Sequence, residues 1–494
     1  MEFAAQTEDA GLGTRLYRAL SARSGDVVVE TAERMFTGAD LLRRAAGVAR
    51  VLSAAGLGKG GRAVICLPAG DDALTCILAC WHLAATPVPM DFRSPAGQRR
   101  QISELVGAHV VVEPRRPAGA EGYESLIWNE AWCEGAAVDA AYASNAELND
   151  VPAYLAFSSG TTGLPKTYVQ SHRRMAGRML VRLASRETAG ARSFTPMTLA
   201  FSATRNMVTG ALLSGGVVRF GPPLFSTGEL IEMIDASRAS VVALPPPLIR
   251  NMLREIGPRS TPYFSRLSSL RSIGGPASAE DKIGAYTHLS NGYLMSYGTG
   301  LTGNVSLLSG PDVLTHPQTV GRAVASVGFE IVDPETLRPL GRNVPGLIKI
   351  ITPWLADDVI EDVRPGAIAE RRGEGWGIPG DVGMLDDEGF LTILGREADM
   401  IVRGGVNVAP QEIENLLRRD PRITDIGVTG IDDPSYGQEI AAFIVAASGE
   451  EADFHALCMQ LLSYDRRPRI IRLVSRLPYN VNGKLLRGEL AAML

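Results

Sequence analysis

Tyr154 to His172 reads YLAFSSGTTGLPKTYVQSH, and the reading of the whole chain turns on it. An apolar run, Tyr154 to Phe157, feeds directly into a loop of hydroxyls and glycines that ends at Pro165-Lys166. The run predicts a buried strand, and the loop is its outlet. Glycines let backbone approach phosphate oxygens, Ser and Thr hydroxyls donate hydrogen bonds, and a lysine neutralises charge. The loop has the chemistry of a phosphate cradle. A Walker A loop needs G-x-x-x-x-G-K-[ST]; counted from Gly160, Pro165 stands where the second glycine belongs, so a P-loop NTPase is disfavoured. Taken alone, the segment also fits a plain surface turn, and the rest of the chain has to decide.

Outward from this segment, helical and extended patterns alternate. Leu41, Leu42, Ala45, Val48 and Leu52 recur at helical spacing, and Ala63 to Leu67 is an apolar strand after Gly60-Gly61. Ala73 to Pro89 is the most apolar stretch; Thr75, His82 and Thr86 interrupt it, and it reads as a core helix, short of the about 20 residues of a membrane span. The rhythm returns with Leu230, Ile231 and Ile234 on a helix, then Ser240 to Leu244 as a strand stopped by Pro245-Pro246-Pro247. Arg271 to Ile273 leads into Gly274-Gly275-Pro276, a turn that lets backbone approach a ligand. This alternation predicts α/β layers on a mostly parallel sheet.

From Gly346 the texture changes to short strands and turns, as in a β-rich subdomain. After Gly395-Arg396 a compact pattern follows: helix Pro410 to Arg418, strands Ile423 to Gly430 and Ile440 to Ala446, helix Phe454 to Ser463, strand Ile470 to Val474. The division expected is a large layered α/β unit with a β-rich subdomain, residues 1–394, and a small mobile α+β unit, residues 395–494. At 494 residues the chain exceeds what one core serves, in keeping with that division.

With 49 Lys plus Arg against 54 Asp plus Glu, the net charge of −5 gives no global attraction to nucleic acid or anionic lipid. The five cysteines, Cys66, Cys76, Cys80, Cys133 and Cys458, are too scattered for a disulfide framework or a zinc site, and read as buried reduced thiols. The acidic start MEFAAQTEDAG has no basic and apolar leader pattern. A cytoplasmic protein without an integral membrane segment is the expectation.

Six ordered segments together resemble the adenylate-forming superfamily of acyl-CoA synthetases, peptide-synthetase adenylation domains and luciferases. They are the Tyr154 loop, the opening GADLLRRAAGVARVLSAAGLGKGGRAVICLPAG with LAATPVPMDFRSP, SIGGP (Ser272 to Pro276), SYGTG (Ser296 to Gly300), Gly375 to Glu414, and LPYNVNGKLLR (Leu477 to Arg487). The likeness spans essentially the whole chain and is nearest to a freestanding acyl-CoA synthetase or acyl-AMP ligase.

The resemblance implies roles that physics makes sense of. Ser158, Ser159, Gly160, Thr161, Thr162, Gly163 and Lys166 would wrap the ATP triphosphate. Tyr297, followed by Gly298 and Thr299, would offer adenine a flat face, with Gly274, Gly275 and Pro276 opposite. Asp381 would accept hydrogen bonds from both ribose hydroxyls. Arg396 would touch ribose or phosphate, and Lys484 would bridge the acyl carboxylate and the α-phosphate, lowering the repulsion between two anions. Phe201, Ser202, Arg205, Gly300 and Leu301 would border the acyl site. The reaction implied is attack of a carboxylate on MgATP to give acyl-AMP and pyrophosphate, then attack by a thiol. Between the two steps the small unit pivots near Ala398 and brings Arg403, Gly404 and Gly405 to a pantetheine tunnel. The thiol belongs to coenzyme A or, alternatively, to the phosphopantetheine of a separate carrier protein.

Four positions depart from the pattern. Leu301 stands where the family carries a magnesium-binding Glu, which leaves the metal unassigned among residues such as Thr302 and Asn304. Ala398 replaces the usual hinge Asp or Lys, and Thr167 replaces Gly after the loop lysine. These admit a catalytically impaired homologue that binds nucleotide or acyl groups. Ser202 replaces the Asp that holds an α-ammonium, which argues against an α-amino acid substrate. Arg205 reads either as a solvated surface residue or as a partner for a second carboxylate or a phenolate.

Overall fold

The computed structural model of the chain describes residues 10–115, 124–134, 144–157, 166–184, 190–360, 371–479 and 485–494. Its centre is a nine-stranded sheet. Six neighbours, Tyr293–Thr299, Ser269–Ser272, Val241–Leu244, Arg192–Thr195, Val217–Phe220 and Val27–Glu30, run parallel, with antiparallel strands Gly303–Ser309, Arg322–Ala323 and Met35–Thr37 at the edges. Val241 to Leu244 are buried throughout, as a parallel strand covered on both faces requires.

A second, four-stranded parallel sheet has the order Thr86–Pro89, Arg62–Ile65, Val110–Glu113, Leu126–Ile127. Here the apolar stretch Ala73 to Pro89 divides, contrary to a single helix. Helix Gly70–His82 ends, Ala84 takes a left-handed φ of 50°, and Thr86–Pro89 becomes a strand. Pro87 and Pro89 are tolerated because this strand lies at the sheet edge, where proline deprives no further neighbour of a hydrogen bond.

The opening segment folds as read: Pro152–Phe157 and Thr167–Ser171 are antiparallel partners, and Asp358–Ile360 adds a third strand. The intervening residues 158–165 lie outside the described residues. Strands Gly328–Val332, Gly346–Ile351, Arg371–Gly373, Trp376–Ile378, Asp381–Leu385 and Leu391–Arg396 form the antiparallel β-rich sheet, the last two pairing with each other. A separate five-stranded sheet follows with its own core, including Ile401, Ile413, Val428, Ile444 and Phe454. Between these two sheets only a short turn, Glu397–Asp399, intervenes. The small unit meets the large one through Arg254, which donates to the Thr424 carbonyl (3.3 Å), and through Glu280 with Arg419 (3.6 Å).

Among the described residues no helix is long and apolar enough to cross a membrane, and all five cysteines are buried and unbridged.

Candidate active site

The parallel strands all end on one edge, and ligands of open α/β sheets bind outside the carboxyl ends of such strands. The loops at that edge carry the residues singled out above. Ser272 is in register with Met295, so Gly274 and Tyr297 each lie two residues past the last paired positions of these parallel neighbours. Gly274 has φ +91°, a backbone state suited to glycine that opens the turn beside the tyrosine.

Tyr297 does more than present a face. Its hydroxyl donates to Asp381 Oδ2 at 2.5 Å, and Arg396 Nε lies 2.6 Å from Asp381 Oδ1. Asp381 and Arg396 are directly opposed across two antiparallel strands, and Asp381 is only 5% exposed. Arg396 also donates to the Pro379 carbonyl (3.1 Å). The Asp381 charge raises the Arg396 pKa further, while burial and then the same carboxylate push the Tyr297 phenol well above its ordinary value. Tyrosine, aspartate and arginine thus form one fixed-charge cluster, and the aspartate expected to accept ribose hydroxyls already holds two protein donors.

The turn Gly298 to Thr302 is tied to the strand after the phosphate loop. A Cβ on Gly300 would stand 2.2 Å from the Tyr168 ring, so the ring packs closely against that backbone, and Gln170 donates to the Gly300 carbonyl (3.3 Å). Arg178, on helix His172–Ala184, donates to the carbonyls of Leu301 and Trp354, both at 2.8 Å; burial, with the Arg174 charge adding to it, lowers its pKa to about 10. Tyr168, Gln170 and Arg178 escaped the sequence reading. Only the alternation along Thr167–Ser171 hinted that Tyr168 faces inward.

Leu301, expected at the border of the acyl site, is instead fully buried in a small apolar cluster with Tyr168, Leu355 and Ala356. Thr302 spends its hydroxyl within the turn, on Thr299 (3.1 Å) and the Gly303 carbonyl (3.2 Å). No group of three His, Cys, Asp or Glu suited to a metal occurs among the described residues. Leu301 thus offers magnesium no oxygen and the Thr302 hydroxyl is engaged within its turn, whereas Asn304 Oδ1 is buried without a hydrogen-bond partner.

Arg205 differs from both of its sequence readings. It is 2% exposed, stacks over Tyr154 (4.9 Å to the ring centroid), and donates to the Leu199 and Ala200 carbonyls (2.6 and 2.7 Å) and to Ser202 Oγ (2.9 Å). Burial lowers its pKa to about 10. It is neither solvated surface nor an open carboxylate partner. It clamps the loop that carries Phe201 and Ser202 at the start of helix Ser202–Leu213.

Arg403 is likewise not a free tunnel residue. It is buried, 2.8 Å from Glu439, and donates to the carbonyls of Tyr464 and Asp465. Gly404 and Gly405, with φ of +57° and +84°, form the two-residue turn between Ile401–Arg403 and Val406–Val408. Ala398 sits in the short turn after Arg396. Lys166 opens the strand Thr167–Ser171, half-buried. Ser158 to Gly163 and Lys484 lie outside the described residues. The residues flanking the Lys484 segment are firmly held: Tyr479 pairs with Leu485, Tyr479 donates to Asp425 (2.7 Å), and Arg487 grips Glu414 with two donors (2.5 and 2.9 Å).

Comparison with known proteins gives the family. The model of the AMP-binding enzyme family matches residues 16–357 and that of the AMP-binding enzyme C-terminal domain matches residues 412–484. Feruloyl-CoA synthase of an Amycolatopsis species is 29% identical, over 97% of this chain and 98% of that protein. 2-Succinylbenzoate–CoA ligase of Geobacillus kaustophilus is 26% identical, over 95% of each. The crystal structure of ATP-bound MatB from Rhodopseudomonas palustris shares the fold, with a TM-score of 0.84 at 24% identity over 97% of this chain and 98% of that one. The chain belongs to the AMP-binding enzyme family, the adenylate-forming superfamily of its sequence motifs. It is an AMP-forming acid–thiol ligase of the acyl-CoA synthetase type.

Proposed function

We propose that this protein activates a carboxylic acid other than an α-amino acid with ATP, and then passes the acyl group to the thiol of coenzyme A. The observation that carries the nucleotide half is the Tyr297, Asp381 and Arg396 cluster beside the open Gly274 turn. Asp381 has lone pairs beyond those its two protein partners use, so it can accept ribose hydroxyls while Tyr297 holds its orientation. Arg396, 42% exposed along its side chain, can turn from Asp381 towards a phosphate oxygen.

In the first half-reaction the acid's carboxylate oxygen attacks the α-phosphorus and pyrophosphate departs. Lys166 and the residues Ser158 to Gly163 bind the triphosphate by analogy with the family's motif, and Lys484 reduces repulsion between the two anions as they meet. In the second, the thiol sulfur attacks the acyl carbonyl, loses its proton, and AMP leaves; the mixed anhydride needs no protein nucleophile. The large unit, residues 1–394, holds ATP and acid, and residues 395–494 supply Lys484 and then the Gly404-Gly405 turn. Magnesium would enter with the phosphates of ATP, since the chain offers Leu301 where a carboxylate would hold it. Buried, unbridged cysteines suit a reducing cytoplasm.

The test is acid-dependent formation of AMP and pyrophosphate from ATP over a panel of fatty, aryl and dicarboxylic acids, followed by thioester analysis. Turnover only with a pantetheinylated carrier protein would replace coenzyme A by that carrier as the acceptor. No acid-dependent AMP with magnesium or manganese would favour the impaired, nucleotide-binding homologue.

A further inference from the structure

The segment Pro353 to Ile360 runs between two parts of the nucleotide site and is bonded to both. Two consecutive amides donate to different elements. The Ala356 N–H donates to the Leu301 carbonyl (2.7 Å), in the turn beside Tyr297, and the Asp357 N–H to the Val169 carbonyl (2.9 Å), in the strand that Lys166 precedes. Beyond them Asp358, Val359 and Ile360 stand opposite Val169, Tyr168 and Thr167 in antiparallel register, so the segment ends level with the residue after Lys166.

The Asp357 carboxylate fastens this segment. It accepts from the Ser171 amide at 2.7 Å and from the Ser171 hydroxyl at 3.0 Å, with Arg174 Nε 3.5 Å away. Ser171 ends the strand Thr167–Ser171, and helix His172–Ala184 starts immediately after it. On that helix Arg174 donates to the Pro353 carbonyl, and Arg178 to the carbonyls of both Trp354 and Leu301. Gly177 leaves room for the Trp354 ring, which a Cβ there would meet at 2.2 Å. Leu355, Ala356 and Val359 close an apolar cluster with Tyr168 from the strand and Leu301 from the turn. Direct contact between strand and turn comes from the Tyr168 ring against Gly300 and the 3.3 Å bond from Gln170.

We infer that Asp357 is a positioning residue for ATP, fastening Pro353 to Ile360 as a brace that sets the spacing between the adenine-side turn and the strand behind Lys166. ATP meets both sides, so its affinity depends on that spacing being held before it binds. AMP lacks the β- and γ-phosphates and depends on the adenine side. Leu301 has a use here that a carboxylate could not serve, since an ionised side chain in the same cluster would be buried without a partner. The inference rests on the nucleotide site proposed above.

Calorimetry of the full chain compares ATP with AMP in one magnesium buffer. Asp357→Ala should weaken ATP by about fivefold or more and AMP by less than about twofold, the first being the scale of a partly exposed hydrogen bond to a charged acceptor. Asp357→Asn, which keeps an acceptor for Ser171, should recover part of the loss. Trp354→Ala unseats the same segment from helix His172–Ala184 and should reproduce the split; it carries the comparison if Asp357→Ala fails to fold, as judged by the urea midpoint. A pair that merely stabilises the fold would lower the midpoint and leave the ratio of ATP to AMP affinity at the parent value. That unchanged ratio, or an unchanged ATP affinity, in the folded variants overturns the inference and leaves the nucleotide site standing. A parent chain that binds neither nucleotide overturns the nucleotide site itself.

Discussion

Asp381 and Arg396 face one another across two antiparallel strands, with Arg396 Nε 2.6 Å from Asp381 Oδ1. Asp381 opens the strand that follows Gly380, and Arg396 ends the last strand before the small unit begins. The carboxylate expected to hold ribose is therefore linked directly to the residue at which the small unit departs.

Asp381→Asn keeps the shape but removes the charge that holds Arg396. ATP affinity by calorimetry should fall by about tenfold or more, the scale of a lost charge-assisted hydrogen bond. Tyr297→Phe removes only one donor to the same carboxylate and should weaken ATP less than Asp381→Asn does. An Asp381→Asn variant that binds ATP as tightly as the parent would exclude this aspartate from the nucleotide site.

Lys484→Ala should abolish acyl-AMP formation while sparing thioester formation from supplied acyl-AMP. Glu414 grips Arg487, three residues beyond that lysine in the chain. Glu414→Gln should lower the adenylation rate more than the thioesterification rate. Equal losses in the two half-reactions would mean that Glu414 serves stability alone and that Lys484 is not specific to adenylation.

Arg205→Leu strips donors from two buried carbonyls and Ser202 Oγ beneath helix Ser202–Leu213. Leaving such acceptors unpaired costs about 1–3 kcal/mol each where water cannot enter, so the urea midpoint should drop measurably. Arg205→Lys, which can restore a subset of these bonds, should recover part of it. An unchanged midpoint would mean that the guanidinium contributes nothing net to the loop.

His172 is fully buried against Trp81, accepts a hydrogen bond from the Gly13 amide (3.0 Å), and is pushed by burial from 6.5 down to about 3. Its folded pKa lies below its unfolded one, so between these values the unfolded chain binds a proton that the native chain does not. Its contribution is intact above pH 6.5 and declines as pH falls towards 3, by up to about 1.4 kcal/mol per pH unit. His172→Asn, which retains an acceptor for Gly13, should flatten the acid limb of a urea-midpoint profile by one proton. A limb of unchanged slope would show that other groups govern it.

Much of the architecture was legible along the chain, and so was the family. Strand Pro152–Phe157, the Gly274 turn and the small unit's strands follow from apolar runs punctuated by glycine and proline, which act locally. The division of Ala73 to Pro89 was not, because two prolines read as terminators until the neighbouring sheet makes Thr86–Pro89 an edge strand. Local pattern reports what a segment can do; pairing partners decide what it does.

The site divides in the same way. Asp381, Arg396 and Tyr297 could be named because the segments that carry them resemble the family's motifs. That Leu301 turns into an apolar cluster, that Arg205 clamps its own loop over Tyr154, and that Arg403 is locked by Glu439 were decided only in three dimensions. An arginine's role depends on which acceptors surround its guanidinium. For Arg205 one of the groups that settles the matter, Tyr154, lies fifty-one positions earlier in the chain, and only the folded sheet brings the two together.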